Sequence, residues 1–336
     1  MTLKQLKYLV GIVDSGLNIT SAAERLFTSQ PGISKQLKQL EAELGVQLFT
    51  RKGKSLASIT PAGRDVVARA RKILREVDNI RSLASDLTAE QEGTLSIATT
   101  HTQARYVLPE VVRAFREIYP KVDLELHQGT SEQIAELISM NKVDFAIATG
   151  SQHQFSQLTL LPVYHWHRIA FVPKTHPLAK QTRPLDLKTL AKYPLVTYVF
   201  SLTGESSFKR AFHDQGLEPR VVFTARDADI IKTYVRMGLG VGVIAGMAFE
   251  CQDAADLKAM DVRGLFPRVT TWIGFPRDMV LRSYMVDFIH LLAPHYSKRQ
   301  IQDAAGLATQ DEVDTLLGHA VLPVRGGCEP EPAVII

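Results

Sequence analysis

Cysteine is almost absent from this chain, with only Cys251 and Cys328 among 336 residues. The two lie far apart, with no CxxC or Cys/His cluster beside either, which argues against a zinc site or a disulfide framework and predicts two free thiols. Long hydrophobic runs are also missing. No stretch of about 18 apolar residues occurs, and the first fifteen positions are broken by Lys4, Lys7 and Asp14, so neither a membrane span nor a signal peptide is expected. A cytoplasmic location follows as an expectation. There is no GxSxG elbow, and Ser201 or Ser206 with some histidine is the only candidate nucleophile arrangement. Catalysis and a cofactor are therefore not expected.

Excess charge of one sign is scarce too, with 39 Lys and Arg against 35 Asp and Glu, but it is unevenly spread. Residues 1–92 carry 14 basic side chains against 10 acidic ones, and the remainder carries 25 of each. A basic N-terminal module on a neutral body suits a protein whose one end meets a polyanion.

The opening residues hold three short amphipathic patterns. Leu3, Leu6, Leu9, Val10 and Val13 recur at helical spacing, then Ala22, Ala23 and Leu26, then Ile33, Leu37, Leu40 and Leu44. Between the second and third, Ser29 can cap a helix whose first turn accepts Pro31. The third helix leaves Gln30, Ser34, Lys35, Lys38 and Gln39 on the face its leucines do not use, and these side chains can bond base edges and phosphates in a DNA groove. Arg51, Lys52 and Lys54 surround a glycine in a short basic hairpin that would reach phosphates. After Thr60, Val66, Ala70, Ile73, Val77, Ile80, Ala84 and Leu87 form a heptad seam that predicts pairing with a second copy.

The run from Ser21 to Arg51, SAAERLFTSQPGISKQLKQLEAELGVQLFTR, followed by ITPAGR at 59–64, resembles the DNA-binding end of LysR-type transcriptional regulators. The resemblance implies an α/β protein with an N-terminal winged helix-turn-helix, a dimerising linker helix and a two-lobed, periplasmic-binding-protein-like effector domain. It also implies double-stranded promoter DNA, a small effector, a dimer or tetramer of this chain and RNA polymerase as partners. DNA contacts are then expected from Ser29, Gln30, Pro31, Ser34, Lys35, Lys38, Arg51, Lys52 and Lys54.

Past Glu92 the pattern changes to strands alternating with helices, beginning with the strand at Leu95 and the helix from Val107 to Ile118, which predicts a parallel α/β lobe. A second such series starts at Ile169. The segments Thr270–Phe275 and Met285–Leu292 return to the first lobe, with crossings expected near 160–166 and 265–270. The expected division is 1–60, 61–92 and 93–320, with one lobe at about 93–162 and 268–320 and the other at about 163–267. The acidic, proline-containing end, 321–336, is expected to be disordered.

Ligands in open α/β sheets bind beyond the carboxyl ends of the strands. Thr99-Thr100-His101-Thr102-Gln103 occupies that place, as do Thr149-Gly150 and the turn from Ser201 to Ser206. Each hydroxyl taken singly is an ordinary helix cap, but their repetition at three strand ends predicts a shared pocket for a small anion. TTHTQARYVLP, HQGTSEQIAE, YHWHRIAFV and TARDADIIKTYVRMGLGVGVIA resemble the branch of the LysR family that governs sulfur assimilation and cysteine biosynthesis. That likeness implies effector contacts at Thr100, Thr102, Gln103, Thr149, Trp166 and Thr203. It implies N-acetylserine or O-acetylserine, sulfate and thiosulfate as effectors.

Gly238-Leu-Gly-Val-Gly follows a helix and precedes a strand, the reverse of a dinucleotide loop, and reads as a helix end. His165 and His167 share a strand face without a third ligand nearby, so no metal is expected. Asp227 and Asp229 read as helix caps, with receipt of an effector ammonium as the functional alternative. A solute receptor, or a regulator of another pathway, stands as the alternative function.

Overall fold

A computed structural model describes residues 1–53, 55–87, 92–149, 155–181, 183–202, 206–277 and 279–328. The chain forms two compact units, one of residues 1–90 with 279–282 and one of 91–278 with 283–336.

In the first unit, α1 (Leu3–Asp14), α2 (Ile19–Arg25) and α3 (Gln30–Leu44) bury Leu6, Leu9, Ile12, Ala22, Ala23, Ile33, Leu37 and Leu40 in one core. Each helix starts on a side-chain cap. Thr2 accepts the N–H of Gln5, Asn18 those of Thr20 and Ser21, and Ser29 that of Gly32. The strands β1 (Phe49–Lys52) and β2 (Ser55–Ile59) pair antiparallel as the wing. Thr60 then caps the long α4 (Pro61–Leu87), its hydroxyl accepting the N–H of Gly63 at 2.9 Å. Glycine is required at 63, because a Cβ there would lie 2.1 Å from the Leu48 carbonyl oxygen. Early in α4, Val67 and Ala70 are buried in the helical core, whereas Ile73, Ile80 and Leu83 are exposed.

The second unit has two sheets. Its elements in chain order begin with β3 (Gly93–Thr99), α5 (His101–Tyr106), α6 (Leu108–Ile118), β4 (Val122–Gln128), α7 (Ser131–Ser139), β5 (Phe145–Thr149) and β6 (Leu158–Trp166). The other lobe holds β7 (Arg168–Pro173), α8 (Leu187–Leu190), β8 (Leu195–Tyr198), α9 (Ser207–His213), β9 (Val221–Ala225), α10 (Ala228–Arg236), β10 (Val241–Ala245) and β11 (Leu257–Asp261). The chain then returns through β12 (Val269–Pro276), α11 (Ser283–Leu292), α12 (Lys298–Ala305), α13 (Gln310–Leu317) and β13 (Val324–Arg325). The first sheet has the order β13-β6-β12-β5-β3-β4 and the second β11-β7-β10-β8-β9. Close backbone approach explains Gly240, where a Cβ would lie 2.3 Å from the Pro194 carbonyl oxygen.

Several expectations need correction. The first lobe is not purely parallel, since β12 runs antiparallel to both β5 and β6. Residues 163–166 belong to the first lobe, because β6 pairs with β12 through Trp166 and Val269, and the chain changes sheets at His167. The cysteines are not free thiols: Cys251 and Cys328 form a disulfide. Nor is the segment after 320 without structure where it is described. Val324 and Arg325 pair with His165 and Trp166, and the N–H of Cys328 donates to the Phe249 carbonyl at 2.9 Å. This strap runs from the first sheet to the turn carrying Cys251, joining positions that no local spacing in the sequence could relate. Residues 329–336 lie outside the described residues.

Candidate functional site

The threonine turn sits where β3 gives way to α5. Thr99 is fully buried and spends its hydroxyl on the Ile147 carbonyl of the neighbouring β5, at 3.0 Å. Thr100 holds the cap position of α5 but makes no side-chain cap bond, so its hydroxyl is left for another acceptor or donor. Thr102 and Gln103 are buried in the first turn of that helix.

Three strands bring further polar side chains to the same level. Thr271 of β12 pairs with Thr149 of β5 on one side and with Tyr164 of β6 on the other. The Gln103 amide bridges this row: its Nε2 donates to Thr271 Oγ1 at 3.4 Å, and its Oε1 accepts from the Tyr164 hydroxyl. From the second lobe, Tyr198 at the end of β8 brings its hydroxyl to the Thr102 side chain and accepts the Ala245 N–H at 3.3 Å. Burial pushes both tyrosine phenols above their ordinary value, so they remain neutral donors, while Arg325 over the Tyr164 ring and Arg168 near Tyr198 pull the other way. Trp166, 3% exposed, ends β6 with its indole N–H buried and, among the described residues, unpartnered.

Thr100, Thr102, Gln103, Thr149 and Trp166 thus stand at the carboxyl-end side of the first lobe, and Thr102 meets the second lobe through Tyr198. Thr203 and Gly150 lie outside the described residues. Tyr164, Tyr198 and Thr271 were not singled out from the sequence; the signal was a polar residue inside an otherwise buried strand. The site offers neutral donors, with no nucleophile held by a base among its described residues.

The carboxylates near α10 have other duties. Asp227 caps the helix by accepting the Ile230 N–H at 2.8 Å. Asp229 joins the lobes, accepting from the Tyr106 hydroxyl at 2.8 Å, with Arg105 at 3.5 Å and Lys232 at 3.2 Å. Its carboxyl is held below the ordinary range, since these donors outweigh the opposing effect of burial. Asp229 is therefore already surrounded by donors and cations. His165 is bonded to Thr270 at 3.0 Å.

In the first unit, Gln30, Pro31, Lys35, Lys38 and Gln39 are exposed along α3, Ser34 is half-buried and bonds Gln30 at 3.0 Å, and Ser29 is the exposed cap. Lys52 is exposed on the wing, and Lys54 lies outside the described residues. Arg51 pairs with Glu41 at 3.0 Å, and the other oxygen of Glu41 accepts the Leu48 N–H at 2.9 Å. Glu41 thereby fixes the wing against the helix that carries the lysines.

Comparison with known proteins agrees with both units. The helix-turn-helix of bacterial LysR-family regulatory proteins matches residues 3–64, and the LysR substrate binding domain matches residues 88–297. This chain belongs to the LysR family of transcriptional regulators. It is 46% identical over 316 residues to the HTH-type transcriptional regulator CysB of Haemophilus influenzae, covering 94% of this chain and 97% of the relative. With the regulator SsuR of Burkholderia cenocepacia it shares 41% identity over 301 residues, covering 90% and 97%. The crystal structure of the cofactor-binding domain of the Cbl transcriptional regulator superposes with a TM-score of 0.61 at 41% identity, covering 65% of this chain and 96% of that domain. As a LysR-family regulator the chain is not an enzyme, and no described helix is long and apolar enough to cross a membrane.

Proposed function

We propose that this LysR-family regulator reads promoter DNA through α3 and the wing and senses a small anionic metabolite of sulfur assimilation and cysteine biosynthesis in the cleft between its lobes. Its effectors are acetylserines, sulfate and thiosulfate. The observation that carries it is a row of neutral polar groups along the carboxyl-end side of the first lobe: the Thr100 hydroxyl without a cap bond, the buried Thr102 and Gln103 side chains, and the indole N–H of Trp166, unpartnered among the described residues. Hydroxyl, amide and indole donors suit an oxyanion, which accepts several hydrogen bonds at once. Similarity to regulators named CysB, SsuR and Cbl supports the metabolic assignment.

The regulator acts in the cytoplasm as an oligomer paired along α4, and it engages RNA polymerase at the promoter. Ser29, Gln30, Pro31, Ser34, Lys35, Lys38, Arg51, Lys52 and Lys54 serve the DNA; Thr100, Thr102, Gln103, Thr149, Trp166 and Thr203 serve the effector. Ligand binding shifts the regulator only if one arrangement of its lobes binds more tightly than the other. Calorimetric titration of the full chain with thiosulfate, sulfate and N-acetylserine tests the site. At least one should bind, and Thr102→Ala should weaken it about tenfold, the worth of one hydrogen bond to a charged group. Absence of binding by all three, or an unchanged affinity in the variant, would remove the assignment.

A further inference from the structure

Arg168 opens β7 and is only 5% exposed. Its neighbours on the same strand face, Ala170 and Val172, belong to an apolar cluster with Phe208, Phe212 and Phe266. Among the described residues the guanidinium donates to Ser207 Oγ at 3.0 Å, and it lies over the rings of Trp166 and Phe266 at 5.7 Å each. Among the described residues no carboxylate pairs with it. Burial lowers its pKa to about 10, so it still carries its charge at neutral pH.

A buried cation without a counter-ion is costly in a folded protein, and structural packing alone would be served as well by a neutral side chain. Its position suggests what the charge is for. Because β7 runs antiparallel to β10, with Arg168 opposite Ala245, Arg168 stands at the carboxyl ends of β8 and β10. Tyr198, which meets Thr102 of the other lobe, ends β8 there. One of the two rings beneath the guanidinium is that of Trp166, whose buried N–H has no acceptor among the described residues. A full positive charge and an orphaned donor therefore adjoin on the side where the lobes meet.

We propose that Arg168 is a specificity-determining charge of the interlobe cleft, favouring effectors by their negative charge while the neutral donors of the threonine turn hold their oxygens. The inference rests on the cleft being the effector site. Inside a protein, where water screens weakly, a buried charge acts over several ångströms, so Arg168 discriminates without having to touch the ligand. Dianions gain most, monoanions less, and zwitterions of zero net charge little.

The test uses the full-length protein, Arg168→Gln and Arg168→Lys, with thiosulfate, N-acetylserine and O-acetylserine as probes of falling net charge. In R168Q, thiosulfate should bind about tenfold more weakly or worse, N-acetylserine should lose less, and O-acetylserine should be almost unaffected. R168K should retain most of the preference. The ligand-free melting temperature of R168Q should equal or exceed that of the wild type, while the rise produced by thiosulfate should shrink. A purely structural arginine would do the reverse: R168Q would melt lower without ligand, or fail to fold, and weaken all probes alike, which would overturn the proposal. Unchanged ranking of the probes in a stable R168Q would overturn it too, leaving the effector site intact. If the wild type binds none of them, the effector site itself fails, and the role of Arg168 with it.

Discussion

Asp253 shows how much of the second lobe depends on one carboxylate. It is buried, accepts from Lys232 at 2.9 Å and from Arg236 at 2.7 Å, and also receives the Glu250 N–H at 2.9 Å. Burial works against its ionisation, but the hydrogen bonds from Lys232 and Arg236 outweigh that effect and hold its carboxyl below the ordinary value. A carboxylate with a depressed folded pKa contributes stability above its unfolded pKa and loses it as pH falls through the folded one. Asp253→Asn should therefore lower stability at neutral pH by about 3 kcal/mol, leaving Lys232 without its nearest counter-charge. The difference from wild type should narrow in acid. Urea unfolding near pH 7 and near pH 3 checks both, and a difference independent of pH would exclude the ionic contribution. The sequence showed Asp227 as a cap, a relation within three residues. It could not show that Asp229 bridges the lobes through Tyr106, or that Asp253 is enclosed by two cations, because those partners come from other elements.

Helix α4 begins inside a core and continues beyond it. Val67 and Ala70 are covered by α1, whereas Ile73 and Ile80 of the heptad seam are exposed on the single chain. Apolar residues at a sustained heptad spacing are stabilised by a partner helix. Ile73→Glu with Ile80→Glu should shift the protein toward smaller species, read by analytical ultracentrifugation, while leaving the helical core folded. Unchanged assembly would place the interface elsewhere. The C-terminal strap is tied to the second lobe by the Cys251–Cys328 disulfide. Thiol titration of the oxidised chain should find neither cysteine reactive, and two should appear after reduction. Cys328→Ser should make the strap more sensitive to protease, since the disulfide closes a long loop and its loss enlarges the set of open chain conformations. Equal protease resistance would mean that the pairing of Val324 and Arg325 with β6 is enough. Helices and strands are largely readable from periodicity, but β6 lies where the sequence predicts a crossing between lobes. Its burial alternates on neither a two-residue nor a helical period, because both faces of this strand are covered.

For the whole molecule, charge distribution and family membership lead to one expectation about DNA. Exposed Lys35 and Lys38 lie on the helix that Glu41 fastens to the wing. Affinity for promoter DNA should fall steeply with salt, and Lys35→Ala or Lys38→Ala should weaken it and, where the contact is to phosphate, reduce the salt slope by about one each. Fluorescence anisotropy across a salt series reads both, and calorimetry should find effector binding unchanged. Loss of both functions together would indicate misfolding instead.

The residues themselves determined what depends on near neighbours: the capped helices of the DNA-binding unit, the basic surplus at one end, the heptad seam, and threonines placed after a strand and before a helix. Each follows from side-chain spacing over a few turns or from composition, and survives without knowledge of the chain's path. Tertiary structure alone decided which distant groups meet. It set Gln103 between Tyr164 and Thr271, Tyr198 against Thr102, Cys328 against Cys251, and the guanidinium of Arg168 over Trp166. Those meetings depend on where two sheets exchange strands. The exchange is governed by long-range pairing and burial, which no local pattern encodes.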